Sequence, residues 1–367
     1  MIRSTAQIAV LLCGWVLCGC EPPPADQDVD WNPTASEPTL LGKEGEPLVD
    51  IMLSNNAVGI LSTRTVYTLT TGAQIPLSDA STGARYLRGI DSSRLALLST
   101  RAQSTDGSAY FLELSEQPGQ LTPTRQVDLG ILSAPPSIDA EFADGFDVVY
   151  GDTDGLTWRR HLSIEGQLFA AQPVATDLPS DAAFAAWNRR GETELFCGLQ
   201  SITAQSGALH LAQQSNTLRW LATEIFEAEP STCAVAQSND RRLVAVEFRR
   251  AELPPTLLVF DAAGKRIRRL PVGTTEDGFR IEQLRAFDQR AVLVANRLGY
   301  RGGRALLLIV EPDGQIRQFE PALEVEPGRL GRVRLLSDPA KWGAFVLAYD
   351  IRRPWDEGFI YFKTIAF

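Results

Sequence analysis

The side chains able to do acid–base or metal chemistry are few and scattered. The chain has two histidines, His161 and His210, among 367 residues. His161 follows Arg159 and Arg160, and His210 lies between Leu209 and Leu211 in a strand-like run. Neither has a second ligand-type residue at metal-binding spacing, so both are expected to be structural. No Gly-x-Ser-x-Gly elbow and no glycine-rich phosphate loop is present. A Ser-His-Asp arrangement stays open, because its members need not be adjacent in sequence. Asp152 and Asp154 offer carboxylate oxygens to a calcium ion, but two are fewer than such an ion collects, and a solvated turn is expected. No metal and no cofactor is expected. Of five cysteines, only Cys197 and Cys233 lie far from the N-terminus. In an oxidising compartment two such residues pair; otherwise they are small buried apolar groups.

The one chemical feature that recurs is cationic, and it becomes visible through a repeat. Short apolar runs begin at Val58, Leu95, Phe146, Leu195, Leu243, Ala291 and Ala344, separated by 37, 51, 49, 48, 48 and 53 residues. Each is four to six residues long and rich in β-branched or large apolar types, the signature of a buried strand. A second run follows each, beginning at Val66, Ala109, Leu156, Ala208, Thr256, Ala305 and Phe359. Turn chemistry comes next, as in Asp261-Ala262-Ala263-Gly264 and Glu311-Pro312-Asp313-Gly314, where glycine supplies the positive φ of a tight reversal. In five units the turn between the two runs carries arginine: Arg64, Arg101, Arg249, Arg297 and Arg352. If these turns share a face, the guanidinium groups form a ring suited to a carboxylate or phosphate ligand. The plainer reading is that arginine, with 31 copies against 4 lysines, is simply the common cation of this chain.

Four strands per unit, seven times over, with no helical period, predict an all-β chain: a seven-bladed β-propeller with antiparallel four-stranded blades. A β-sandwich or two smaller β domains is the alternative. The final unit, with an inner strand at 332–336, lacks a fourth strand, and a segment around 39–41 is placed to supply it and close the ring. The run Gly151-Asp152-Thr153-Asp154-Gly155-Leu156-Thr157-Trp158 resembles the Asp-box of sialidase-type propellers, Ser-x-Asp-x-Gly-x-Thr-Trp. Gly155, Thr157 and Trp158 match; Thr153 and Gly151 stand where that family has aspartate and serine. In that family the box is a structural turn, so the resemblance implies a turn and no sialidase site. Trp355-Asp356 and Gly302-Gly303 each occur once, so no particular propeller family is indicated.

The N-terminus speaks to location. Arg3 precedes an apolar run at 8–17, half the roughly 20 residues a spanning helix needs, as in a cleaved export signal. Leu17-Cys18-Gly19-Cys20 resembles the lipobox of bacterial lipoproteins. The resemblance implies cleavage before Cys20 and a thioether-linked diacylglycerol on it; Cys18 departs from the small residue usual at that position. An ordinary secretory signal with incidental cysteines is the alternative. Residues 21–47 hold six prolines and no apolar period, composition that stays extended and reaches roughly 30 Å as a tether. The organisation expected is a signal at 1–19, a lipidated tether at 20–47 and a β-propeller at 48–367. After loss of Arg3 the chain has 34 basic and 45 acidic residues, net −11, which argues against nucleic acid and against adhesion to anionic lipid by bulk charge. The function expected is a binding or scaffolding module at the cell envelope, on the periplasmic side or the cell surface, held to the membrane by lipid. Its partner would be a protein or an anionic envelope polymer. The alternative is a hydrolase or lyase acting on an envelope or extracellular glycan.

Overall fold

Runs that are apolar on both sides of a strand must be covered on both sides, and the fold does this by stacking sheets. The computed structural model describes Thr34–Ala35, Thr39–Leu40 and residues 47–366, less the stretches 55–56, 63–64, 69–73, 78–83, 90–94, 105–106, 118–119, 132–135, 143–144, 153, 155, 164–166, 175–178, 180–181, 191–192, 204, 215–217, 239, 251–252, 288–289, 298–302, 324–328, 336–343 and 353–357. These residues form seven separate antiparallel sheets. Six of them take all their strands in sequence order, as meanders, and the seventh does so for its three C-terminal strands. Their first strands are Leu48–Ser54, Ala84–Gly89, Ser137–Phe142, Ala183–Arg190, Pro230–Gln237, Phe279–Ala286 and Arg329–Leu335. The seven apolar runs read from the sequence are the second strands, and the runs downstream are the third.

Burial follows that order. In the sixth sheet the second strand Ala291–Arg297 is buried over its first six residues, and the third, Arg304–Val310, over its last six. In the fifth, the outermost strand Arg266–Pro271 is almost wholly exposed. The core is therefore divided into layers between neighbouring sheets. One layer joins the fourth and fifth sheets through Leu195, Leu209, Phe226, Val244, Phe248 and Phe260. Others join the fifth to the sixth through Val259, Leu293 and Leu308, and the sixth to the seventh through Val294, Leu347 and Tyr349. The first strands pack in succession from sheet to sheet, and Arg329–Leu335 packs back on Leu48–Ser54.

The seventh sheet draws its outermost strands from the start of the chain. Thr39 and Leu40 pair antiparallel with Phe362 and Tyr361, as the sequence led one to expect of the segment near residue 39. Thr34–Ala35 pairs farther along the same strand, with Ala366 and Ile365, a contact the proline-rich composition did not announce. Together they cover the edge of Gly358–Ala366, which would otherwise present unpaired backbone groups.

The structure also joins Cys197, on Thr193–Thr203, to Cys233, on Pro230–Gln237, in a disulfide between the fourth and fifth sheets, with Cα atoms 7.2 Å apart. The bridge spans 36 residues, a loop whose closure restricts the unfolded chain by about 2–4 kcal/mol. Thiol titration of the unfolded but unreduced protein is expected to find neither cysteine free. Reductant is expected to lower the unfolding free energy by that amount in urea titrations. Two reactive thiols before reduction would contradict the bridge.

Candidate functional site

A repeated irregularity marks one end of the stack. In six of the seven sheets the pairing of first and second strands slips near the beginning of the first strand: at Leu48/Asp50, Ala84/Tyr86, Phe184/Ala186, Pro230/Thr232, Ile281/Gln283 and Leu330/Val333. In the third sheet the slip lies at the other end of the strand, between Asp139 and Phe142. A bulge turns extra residues away from the regular pleat and re-aims their side chains. In the last two sheets the residues so placed are charged or glycine: Glu282, and Gly331 with Arg332.

Around these bulges a chain of polar contacts runs from sheet to sheet. Glu247, near the end of the second strand of the fifth sheet, accepts a hydrogen bond from the Ile281 backbone N–H and lies 3.8 Å from Arg280. Burial pushes the Glu247 carboxyl above the usual carboxylate range, against the pull of that hydrogen bond and of Arg280. Arg334 donates to the Glu282 carbonyl at 2.6 Å and pairs with its carboxylate. Gln283 accepts from the Leu335 N–H at 2.7 Å, and Arg285 donates to the Leu335 carbonyl at 3.2 Å. Asn296 donates to the Gly331 carbonyl. Asp350, fully buried on the second strand of the seventh sheet, accepts from the Arg332 N–H and, at 2.7 Å, from Arg352 Nε. Its carboxyl is raised, first by burial, with Arg352 and Arg332 opposing. Finally Arg332 Nη1 donates across to the Val49 carbonyl of the first sheet at 3.0 Å.

Gly331 is required where it stands, because a Cβ there would lie 2.4 Å from the Asp350 carboxylate. The arrangement buries Asp350 completely and leaves Arg332, Arg334 and Arg352 partly exposed. It is suited to holding an oxyanion from outside, not to presenting Asp350 to a substrate.

Among solved structures, the WD40 domain of coronin from Toxoplasma gondii matches with a TM-score of 0.53 at 10% identity, over 91% of this chain and 86% of that one. The domain is propeller-like. The β-propeller domain of the Trilobed protease from Pyrococcus furiosus aligns at 12% identity and TM-score 0.48, over 83% of this chain and 91% of that chain. An acylaminoacyl peptidase from Pyrococcus horikoshii aligns at 11% and TM-score 0.45, over 84% of this chain and 51% of that one, so that the propeller-like domain spans about half of the peptidase. No family model matches the chain, and no curated protein does.

Within the propeller-like domain the residues singled out from sequence have mostly local roles. His161 Nδ1 is 2.6 Å from Asp147 Oδ1 on the neighbouring strand, and its ring packs on Phe169. His210 Nε2 is 2.7 Å from Gln200 Oε1. Asp152 accepts from the backbone N–H groups of Asp154 and Leu156 at 3.0 and 2.8 Å and from Trp158 Nε1 at 2.7 Å. Asp261 binds its own turn in the same way, through the N–H groups of Ala263 and Lys265, both at 2.9 Å. Both carboxylates are thus spent on turns, as the resemblance of the Asp152 run implied. Among the described residues no group of three or more His, Cys, Asp or Glu side chains is placed to hold a metal ion.

The arginine ring requires correction. Arg64 and Cys20 lie outside the described residues. Arg101 is not in a turn: Leu95–Ser104 continues through it, and it stands opposite Ala109. Arg249 is exposed but paired with Glu229 at 3.1 Å. Arg297 ends its strand, opposite Phe279 and Arg304. Arg352 is bound to Asp350. Of the four described, Arg249 and Arg352 are thus occupied, by Glu229 just ahead of the first strand of the fifth sheet and by Asp350 on the same strand. For Arg352 the spacing gave a signal, since residues two apart on a strand share a side. The charged bulges at Glu282 and Arg332 escaped notice because their strands lack the apolar run that marks the second and third strands.

Two outcomes are expected. Gly331→Ala should destabilise the fold by about 1–3 kcal/mol through overpacking, measured by urea unfolding. The folded protein holds the Asp350 proton more tightly than the unfolded chain does, so this group's contribution is present at low pH and is lost as pH rises through its raised value. Asp350→Asn should flatten that part of the stability–pH curve. A curve parallel to wild type would count against it.

Proposed function

We propose that this chain is an exported, lipid-anchored β-propeller of seven blades that acts as a binding or scaffolding module at the bacterial cell envelope, for a protein or an anionic envelope polymer. The observation that carries the architecture is the succession of first strands, each packed on the next, with the last packed on the first and the seventh sheet completed by N-terminal strands. A propeller arranged in this way offers the loops at one mouth as a broad recognition surface. The anchor rests on Leu17-Cys18-Gly19-Cys20 and on the proline-rich stretch between it and Thr34, where the chain joins the seventh sheet.

The competing reading, a glycan-acting hydrolase or lyase, calls for a raised carboxyl within reach of substrate. The carboxyls raised by burial here, Glu247 and Asp350, are turned to structural use: one binds the Ile281 N–H, the other is sealed against Gly331. That favours binding over catalysis.

The anchor is tested on the full chain expressed in a bacterial host. The mature protein is expected to float with membranes and to carry acyl groups on Cys20 by intact mass. Cys20→Ala is expected to release it or to block its maturation. An unmodified N-terminus at another residue would sink the lipoprotein reading.

A further inference from the structure

The polar cluster at the bulged end holds five arginines and three acids; Arg285 donates to the Leu335 carbonyl, and three of the other four arginines have an acid each. Arg280 faces Glu247, Arg334 pairs with Glu282, and Arg352 pairs with Asp350. Arg332 stands apart. Among the described residues its guanidinium makes one hydrogen bond, to the Val49 carbonyl at 3.0 Å, and no ion pair. It is not a free surface cation. The bulge opposite Asp350 fixes its backbone, and the Val49 contact fixes its tip, so the group spans the seam between the seventh and first sheets.

We infer that Arg332 is the anchor of a binding site for an oxyanion, a carboxylate or a phosphate, at the seam where the seventh sheet meets the first. A guanidinium carries five N–H donors in a planar fork. One directed to a carbonyl leaves an edge that can grip two oxygens at once. Burial and the charges of Arg334 and Arg352 all disfavour a cation at this position, with Glu282 and Asp350 compensating in part. A further negative charge relieves that repulsion, whereas a neutral or cationic ligand does not. Asp350 cannot supply the charge by moving, because Arg352 and the Arg332 N–H hold its two oxygens. The protein as a whole is acidic, at −10, so retention of an anion here depends on this local arrangement and not on bulk attraction.

The site deepens the binding-module reading by naming the chemistry recognised, and it does not depend on the lipid anchor. The test compares thermal midpoints of the full chain in sodium phosphate, sodium acetate and sodium chloride at matched pH and ionic strength. Wild type is expected to gain a saturable rise of a few degrees in phosphate or acetate over chloride, and the salt giving the larger rise identifies the class of anion. Arg332→Gln should lose the increment, and Arg332→Lys, which keeps the charge without the fork, should retain part of it. If Arg332→Gln fails to fold, titration of wild type followed by the Arg332 Nε–H resonance serves instead, with a saturable shift expected. Equal increments in wild type and Arg332→Gln, no increment in wild type, or an unmoved resonance would overturn the site. Protein that floats with membranes yet shows no increment refutes the site and leaves the anchor standing; an increment without flotation does the reverse.

Discussion

A four-stranded sheet whose middle strands are apolar on both faces cannot stand alone in water, and the rest of this structure follows from that constraint. Val292, Val294, Leu307 and Ile309 turn toward the seventh sheet while Leu293, Leu306 and Leu308 turn toward the fifth. Alternation along each strand thus feeds two layers of core rather than one core and one solvent face. At roughly 25 cal/mol per Å² of apolar surface, neighbouring sheets are bound to each other as firmly as the halves of a sandwich. Such stacking has no natural end until the last sheet meets the first. Packing of Arg329–Leu335 on Leu48–Ser54 supplies that end.

Stacking settles the faces of the sheets but not their edges. The first strands use one edge for pairing and leave backbone groups on the other without strand partners. Side chains from neighbouring sheets answer several of these: Arg190 reaches the Gln237 carbonyl, Gln237 reaches the Asn188 carbonyl, Arg285 reaches Leu335 and Arg332 reaches Val49. This accounts for arginine and glutamine in strands that a hydrophobic pattern would not select. A buried carbonyl without a donor is costly, and a charged donor binds it more strongly than a neutral one. The same economy accounts for Asp350 and Glu247, whose burial is compensated by backbone N–H groups as well as by arginine.

The outer edge of the seventh sheet is handled by chain topology. Thr34–Ala35 and Thr39–Leu40 lie along Gly358–Ala366, so residues from opposite ends of the chain share one sheet. Local propensity has little part in this, since two-residue strands in a proline-rich segment have no stability of their own. They form because an unpaired edge is already waiting. In the middle of the stack the Cys197–Cys233 bridge ties two sheets covalently at a layer already rich in apolar contacts.

From the sequence by itself came the strand type and the order of strands. Runs such as Leu243–Phe248 and Ala305–Val310 are apolar because both of their faces are covered, and that pattern is local and legible. Turns announced by Asp261 and Gly264 were equally legible, since the carboxylate binds the turn's own N–H groups and Gly264 has a φ of 86°. What only the tertiary structure decided was every relation across sheets. Cys197 meets Cys233, Arg352 is taken up by Asp350, and Arg332 is left without an acid, because bulges and neighbouring strands turn those side chains. The reason is physical: burial is written residue by residue, whereas ion pairing depends on which strands become neighbours, and a single bulge shifts the partner by one residue and with it the face.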